Sequence, residues 1–381
     1  MSSPATQNHE RIAGLATAQG TLRYAARFQG RSAAGHFREI PGGRVLSSIG
    51  IGTYLGEPDP ATDKGYTQAV VAAVEGGINV IDSAINYRFQ RSERSVGTAL
   101  RVLANKGFAR DEVVVCTKGG YLTPDGNMPP DPNKYFFEEY MQRGIFTAKD
   151  IAGGSHCIAP RFLENQIIRS LKNLGVETID VYYLHNPETQ LGEVPKPEFL
   201  QRVRGAFEFL EGAVAKGRIQ YYGMATWNGF RQESKARDTM QLEELVRLAT
   251  EIAGEKHRFR FIQLPFNLAM TEALTLGNQK VAGKEKTVME AANELGLILV
   301  ASASLLQGQV AQNLPAFVAS ALGLENDVER ALQFARSAPG ITTALVGMSR
   351  TPHVEANARL VTVPPASLDQ FSNLFMSGES A

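Results

Sequence analysis

The feature that most constrains the fold of this chain is a repeated alternation of short apolar segments with longer amphipathic ones. Each apolar segment has the length and β-branched content of a buried strand, and each amphipathic segment has the period of a helix. Eight such strand-then-helix units follow one another along the sequence. The predicted strands are, in chain order, residues 49–53, 78–82, 113–118, 180–185, 218–226, 258–267, 297–304 and 341–349.

Strands that are apolar along their whole length are typical of a parallel sheet with helices on both faces. Eight units of this kind close naturally into an α/β fold of the (β/α)8 TIM-barrel type, and a doubly wound sheet is the alternative. No linker interrupts the series, so residues 37–381 are predicted to form one barrel domain. Residues 1–36 precede it and are predicted to be a partly flexible N-terminal extension.

Two segments do not fit the repeat. Residues 120–159 form a long loop after the strand that ends at Lys118, and this connection is too long for a simple strand-to-helix turn. It contains the aromatic cluster NKYFFEEYMQRGIF. This cluster indicates either a small helix packed on the barrel rim or a wall of the substrate pocket. A second insertion follows Asn267 and extends to about Lys286.

Composition excludes several classes of function. The 39 basic and 39 acidic residues give a formal net charge of zero, so no global field attracts nucleic acid or an anionic membrane. No run of apolar residues is long enough to span a bilayer, and the N-terminus lacks the pattern of a secretory signal. Cys116 and Cys157 are too few for a disulfide scaffold or a zinc cluster. We expect a cytoplasmic protein without a metal site.

Polar side chains with acid–base chemistry stand at or just after the ends of three predicted strands. Asp82, Lys118 and His185 each end a strand, and Tyr87 lies in the loop after Asp82. In a barrel of this type the chemistry sits at the carboxyl ends of the strands. Each residue alone also has a structural explanation, as a turn cap, a rim aromatic or a core histidine. A lysine that follows VVVCT, however, is expected to be buried and to need a counter-charge, which Asp82 can supply.

These four side chains together suit one kind of reaction. A tyrosine titrates near 10 in water, and an adjacent Lys118 ammonium should lower the pKa of Tyr87 and make it a better proton donor. Asp82 would keep Lys118 charged, and His185 would hydrogen-bond the substrate oxygen. No nucleophile or metal cage accompanies them. The set predicts protonation of a carbonyl oxygen while a hydride arrives from a bound nicotinamide.

The segment GINVIDSAINYRFQRSE, residues 77–93, resembles the signature of the aldo-keto reductase family. Further segments match in family order between about residues 37 and 360: VVVCTKGG, IDVYYLHN, GRIQYYGMAT, FIQLPFN, ASASLLQGQ and LVGMSRTPHVEAN. The resemblance implies a barrel that binds NADP(H) in extended form without a Rossmann motif. It also implies reduction of an aldehyde or ketone, or the reverse oxidation. The implied catalytic residues are Asp82, Tyr87, Lys118 and His185.

The resemblance also implies contacts at the nicotinamide end of the cofactor. Gln263 matches the family residue that binds the carboxamide. Thr226 stands in the place of one member of a Ser-Asn pair, and Ser302 stands where an aromatic residue commonly stacks on the nicotinamide ring. The glycines of IGIGTYLG do not have the spacing of the dinucleotide fingerprint. Gly52 is instead expected to let the backbone approach the cofactor, with Thr53 beside it.

The remaining implied contacts concern the pyrophosphate and the adenosine. Leu305, Gln307 and Gly308 match the segment that lies along the pyrophosphate. In GMSRTPHVEAN, which begins at Gly347, the helix start with Ser349 and Arg350 is expected to face the adenosine 2′-phosphate, and Asn357 matches the asparagine that binds the adenine. A helix N-terminus suits an anion, and Arg350 could add charge-assisted hydrogen bonds. These features favour NADP(H) over NAD(H).

Two other functions remain open at this point. The chain could be a cofactor-binding regulatory subunit with little turnover, since family resemblance alone does not establish catalysis. It could also be a Schiff-base lyase that uses Lys118, although a carboxylate partner would keep that amine protonated. The expected partner is a small carbonyl or alcohol substrate. The sequence does not distinguish a monomer from a homo-oligomer.

Overall fold

The structure is a computed structural model that describes residues 11–376. Residues 1–10, which belong to the predicted flexible extension, therefore lie outside the described residues, as do residues 377–381. The strands are β1 Phe37–Glu39, β2 Val45–Ser47, β3 Ile49–Gly52, β4 Val80–Asp82, β5 Val114–Gly119, β6 Ile179–His185, β7 Ile219–Ala225, β8 Phe259–Pro265, β9 Gln279–Val281, β10 Lys284–Lys286, β11 Ile298–Ser302 and β12 Ile341–Gly347. The helices are α1 Ala18–Ala26, α2 Pro60–Glu75, α3 Arg91–Asn105, α4 Pro132–Phe136, α5 Pro160–Leu174, α6 Lys196–Ala215, α7 Leu242–Ala253, α8 Glu272–Thr275, α9 Val288–Glu294, α10 Ala316–Leu322, α11 Asp327–Ser337, α12 Thr351–Ala358 and α13 Leu368–Met376.

Eight parallel strands close into a barrel in the order β11-β12-β3-β4-β5-β6-β7-β8. The prediction of a (β/α)8 barrel is therefore confirmed. Local capping chemistry sets some of the helix bounds: α2 begins at Pro60 because the Asp59 side chain accepts a hydrogen bond from the Thr62 backbone N–H. Outside the strands, apolar faces of the surrounding helices pack against the barrel wall and form the main core.

The segment before the barrel closes its amino-terminal end. Strands β1 and β2 form an antiparallel hairpin. Helix α1, which the sequence did not predict, buries Tyr24, and just before it the Ala16 backbone N–H donates to Asp180 Oδ1 at 2.6 Å. Asp180 lies near the start of β6, so this part of the chain covers the end of the barrel opposite to the carboxyl ends of the strands.

The long connection at residues 120–159 contains the short helix α4, a π-helical turn at Phe137–Met141 and a buried aromatic cluster. Tyr140 stacks on Phe146 at 5.6 Å between ring centroids, and both contact Phe162 of α5. The second insertion contains α8 and the β9–β10 hairpin. Within residues 11–376 no helix is both long and apolar enough to cross a membrane.

Candidate active site

The barrel brings the four predicted reactive side chains together at the carboxyl ends of β4, β5 and β6. The Lys118 ammonium donates to Asp82 Oδ2 at 2.5 Å, to the Ser83 backbone carbonyl at 2.8 Å and to Tyr87 Oη at 3.3 Å. The Tyr87 and His185 rings meet edge-on, with centroids 5.8 Å apart. The lysine is buried behind the tyrosine, so the phenol stands between the ammonium and the open end of the barrel.

The two-residue period of a strand explains why these side chains point inward. Alternate residues of a strand face the same side. The residues two positions earlier on β4, β5 and β6 belong to a buried cluster in the barrel interior, namely Val80, Cys116 and Tyr183. Asp82, Lys118 and His185 therefore form the polar layer that follows the last apolar layer inside the barrel.

Electrostatics keep Lys118 charged and Tyr87 protonated. Burial lowers the pKa of Lys118, but the Asp82 carboxylate and Tyr87 together outweigh burial, so that this pKa is raised overall. Burial raises the pKa of Tyr87 above its usual 10, and the Lys118 charge, which lowers it, offsets this only in part. Lys118 thus lowers the pKa of Tyr87 as the sequence predicts, but burial, which the sequence did not reveal, has the larger effect and the pKa is raised overall. The lysine reduces the cost of ionising a phenol that is otherwise desolvated.

His185 is neutral at physiological pH. Burial, helped by the Lys118 charge, holds the pKa of its imidazole well below 6.5. Its Nδ1 atom is buried and has no hydrogen-bond partner among the described residues. The ring lies edge-on to Tyr121 as well, at 5.3 Å between centroids. A neutral imidazole can donate one hydrogen bond and accept another, which suits contact with a carbonyl or alcohol oxygen.

Asp82 has a second partner that links the reactive group to the predicted cofactor contacts. The Gln263 side-chain amide donates to Asp82 Oδ1 at 2.9 Å, so each carboxylate oxygen accepts from a different side chain. The Thr53 hydroxyl donates to the Asp82 backbone carbonyl at 3.1 Å. Gln263 keeps its carbonyl oxygen and a second N–H with which to meet a ligand.

A cavity of about 1000 Å³ opens beside these residues and extends from the barrel mouth to α12. Asp82, Tyr87 and His185 form part of its wall. The predicted cofactor residues that line it are Gly52, Thr53, Thr226, Gln263, Ser302, Leu305, Gln307, Gly308, Gly347, Ser349 and Asn357. Arg350 is exposed and is not part of this wall, so the structure does not bring it to the cavity.

Several lining residues were missed by sequence reasoning. Tyr121, Asn186 and Trp227 border the mouth, and Glu329 and His353 border the far end. The first three directly follow, or lie two residues after, the ends of β5, β6 and β7. The same strand-end rule that identified the reactive residues could therefore have found them. In the 120–159 segment only Tyr121 borders the cavity.

The cavity wall contains polar groups that are suited to a bound ligand. The hydroxyls of Thr226 and Ser304 are buried and have no partner among the described residues. Such unpaired groups are costly unless a ligand or water satisfies them. The backbone of the segment around Ser304 takes left-handed conformations at Ala303, Leu306 and Gln307. This geometry can turn neighbouring N–H groups toward an anion. The wall thus offers unpaired polar groups to an elongated ligand.

The fold and this site together define a (β/α)8 barrel protein with a polar reactive group at one end of an elongated ligand cavity. The family model of the aldo/keto reductase family matches residues 48–374. The chain therefore belongs to the aldo/keto reductases, a family of oxidoreductases.

Two curated relatives illustrate the range of similarity. The chain is 26% identical over 196 residues to the NADH-specific methylglyoxal reductase of Escherichia coli K12, covering 49% of this chain and 52% of the relative. It is 27% identical over 161 residues to a D-threo-aldose 1-dehydrogenase from a Pseudomonas species, covering 41% of this chain and 42% of the relative. The chain thus spans about half the length of the curated relatives that it matches.

Solved structures show the same fold. The aldo-keto reductase AKR11C1 from Bacillus halodurans, in its holo form, superposes with a TM-score of 0.62 at 17% identity, covering 89% of this chain and 95% of that chain. An aldo/keto reductase from Klebsiella pneumoniae in complex with NADP and acetate superposes with a TM-score of 0.60 at 19% identity, covering 90% of this chain and 95% of that chain. At these identities the similarity shows the barrel fold alone.

Proposed function

We propose that this protein is an NAD(P)H-dependent carbonyl reductase that converts an aldehyde or ketone to the alcohol, or catalyses the reverse oxidation. The observation that carries the proposal is the position of Tyr87. Its hydroxyl lies 3.3 Å from the Lys118 ammonium and borders the large cavity. A phenol held next to a buried cation can release a proton to a substrate oxygen at neutral pH.

The proton transfer can be described from this chain's own residues. As the carbonyl carbon gains a hydride, the carbonyl oxygen gains the proton of Tyr87 Oη, and the product is an alcohol. The tyrosinate that remains lies beside Lys118. Asp82 Oδ2 lies 2.5 Å from the Lys118 ammonium and keeps it charged. Solvent returns the proton to Tyr87 after product release. In the oxidation direction the same tyrosine accepts the proton of the alcohol.

His185 and the mouth residues would orient the substrate. The neutral imidazole of His185 can donate a hydrogen bond to the substrate oxygen and hold it against Tyr87, whose ring lies 5.8 Å away. A charged imidazole would compete with Tyr87 as the proton donor. Burial, by keeping the pKa of His185 low, removes that competition.

The cofactor would occupy the remainder of the cavity. When bound, a reduced nicotinamide supplies the hydride. Gln263 and the unpaired hydroxyl of Thr226 would hold its carboxamide end, and the turn around Gln307 would lie along the phosphates. The resemblance favours NADP(H), and a Klebsiella structure with this fold is a complex with NADP, whereas the Escherichia coli relative is named NADH-specific.

The Schiff-base alternative is disfavoured by the state of Lys118. An amine nucleophile must be uncharged, whereas Asp82 raises the pKa of this lysine and the ammonium uses its hydrogens on three acceptors. The substrate class that we propose is a small carbonyl compound or its alcohol. The cytoplasm remains the compartment expected from the sequence.

A titration followed by a turnover assay tests this function. Purified protein is titrated with NADPH and with NADH while tryptophan and nicotinamide fluorescence are recorded. Loss of reduced-cofactor absorbance is then followed with a panel of aldehydes and ketones. Binding with turnover supports the reductase. Binding without turnover on any carbonyl compound would indicate the regulatory-subunit alternative, and absence of binding would contradict both.

A further inference from the structure

A buried histidine from the 120–159 segment contacts the backbone of His185. His156 is fully buried, and its Nε2 atom lies 2.7 Å from the backbone carbonyl oxygen of His185. Its Nδ1 atom lies 2.8 Å from the side-chain amide nitrogen of Gln190. The ring also stands edge-on to Tyr121, at 5.0 Å between centroids. No step of the proposed reaction uses this histidine.

A chain of donors determines which nitrogen of His156 carries the proton. Arg202 has only donors, so when its Nη1 meets Gln190 Oε1 at 2.6 Å the glutamine oxygen must face the arginine. The glutamine amide N–H₂ then faces His156 and donates to Nδ1. Burial lowers the pKa of His156 to about 4, so the ring is neutral and its single proton must be on Nε2. His156 therefore donates to the His185 carbonyl.

The His185 carbonyl is a sensitive position because the backbone changes direction there. The next residue, Asn186, takes a left-handed conformation with φ of 46°. The Asn186 backbone N–H donates to the Ala225 carbonyl at 2.6 Å, and its side chain donates to Tyr121 Oη at 3.1 Å. Since His185 Nδ1 has no partner of its own among residues 11–376, the backbone and the neighbouring rings decide where the imidazole lies.

A glycine makes room for this contact. Gly120 has φ of 147°, and a Cβ atom there would lie 2.9 Å from His156 Nε2 and 3.0 Å from the His185 carbonyl oxygen. The first distance is shorter than real Cβ contacts, and the second would require the neighbouring backbone to move. Residues 120–122 pair with residues 155–157 as neighbouring strands do, and the Cys157 N–H donates to the Gly120 carbonyl at 2.7 Å. This pairing places His156 next to the His185 carbonyl.

We propose that His156 is a positioning residue for the reaction: its Nε2–H holds the His185 carbonyl and so fixes the His185 imidazole against Tyr87 and the substrate oxygen. The inference rests on the proposed role of His185. The 120–159 connection then acts at the site mainly through the contact of His156 with the His185 carbonyl and through Tyr121, since its aromatic cluster is not part of the cavity wall.

Two substitutions of the same residue test the proposal in the full-length protein. A glutamine amide can donate to the His185 carbonyl and accept from Gln190, so His156→Gln should keep kcat close to that of the wild type. Leucine can do neither, and His156→Leu should lower kcat by roughly 10–100-fold, because displacement of a reacting group by about 1 Å can cost about 10²-fold. The affinity for NADPH should stay unchanged in both variants. A His156→Leu protein that folds and keeps its kcat, or a His156→Gln protein that loses as much as the leucine variant, would overturn the proposal.

A variant outside the core guards against a folding failure. Arg202→Met removes the donor that orients Gln190, and its matched control is Arg204→Met on the same helix, whose guanidinium pairs with Glu251 at the surface. We expect kcat to fall in the Arg202 variant and to stay unchanged in the control. Equal kcat values in the two variants would contradict the donor chain.

A spectroscopic measurement separates this proposal from the proposed function. The ring signals of ¹⁵N-labelled His185 are recorded in the NADPH complex of the wild type and of both His156 variants. The signals should shift in His156→Leu and stay near their wild-type positions in His156→Gln, whether or not the protein reduces any carbonyl compound. If the wild type showed no turnover, the proposed function would fail while these signals still reported on His156. Identical His185 signals in all three proteins would overturn the positioning role.

Discussion

Tyr87→Phe is the sharpest test of the proposed reaction, because it removes the proton and little else. The ring contacts to Tyr54 and His185, at 4.9 Å and 5.8 Å, do not need the hydroxyl. Lys118 loses its 3.3 Å contact but keeps Asp82 and the Ser83 carbonyl. The lost hydrogen bond should cost about 0.5–1.5 kcal/mol of stability, so the fold should persist.

The effect on catalysis should be much larger. A positioned general acid contributes about 10²–10⁴-fold, so kcat should fall by that factor, which corresponds to about 2.7–5.4 kcal/mol of barrier. Single-turnover absorbance measurements of the reduced cofactor isolate the chemical step, and fluorescence titration shows whether cofactor affinity is intact. Substitution of Tyr54, whose side chain borders the same cavity and is 56% exposed, by phenylalanine is the matched control. Turnover by Tyr87→Phe at nearly the rate of this control would refute the assignment of Tyr87 as the acid.

Three other outcomes follow from burial and charge. Burial holds the pKa values of His36 and His156 at about 4, so between pH 6.5 and 4 the unfolded chain binds more protons than the folded one. The free energy of unfolding should therefore fall as the pH falls through that window, by up to about 1.4 kcal/mol per pH unit for each of these two histidines. Urea titrations at several pH values should show a shallower fall in His156→Gln than in the wild type. Lys118→Met should destabilise the protein by about 3–5 kcal/mol in chemical denaturation, because it leaves the Asp82 carboxylate buried without its cation, and adding Asp82→Asn should restore most of that loss. Thr226→Val removes a hydroxyl without a partner among residues 11–376, so thermal melting should show no loss of stability. The free energy of cofactor binding should become weaker by about 0.5–1.5 kcal/mol, and an unchanged dissociation constant would remove Thr226 from the cofactor site.

Much of the fold could be predicted because its signals are local. The strand predicted at 113–118 begins with four consecutive apolar residues, and a helix such as α5 repeats its apolar residues with helical period, so each element is recognisable without its neighbours. The bounds were less certain: the strand predicted at 78–82 begins at Val80. Helix α1 was missed, although Thr17 provides a capping side chain, because its face is buried only by a distant part of the chain.

The reactive residues were predictable for a related reason. In a barrel of parallel strands every carboxyl end lies at the same rim, so a polar residue that ends an apolar strand already has an approximate place. Asp82, Lys118 and His185 met that condition. Tyr121 and Trp227 lie only two residues beyond a strand end, but the sequence analysis did not identify them.

The sequence by itself determined the barrel, the family resemblance and the identity of the four side chains at the mouth, since period and order along the chain suffice for these. Only the tertiary structure decided the energetics. It showed that burial outweighs Lys118 at Tyr87, that Arg350 is not part of the cavity wall, and that His156 contacts the carbonyl of His185, which is 29 positions away in the chain. Burial and hydrogen bonding depend on which elements meet in space, and no local pattern contains that information.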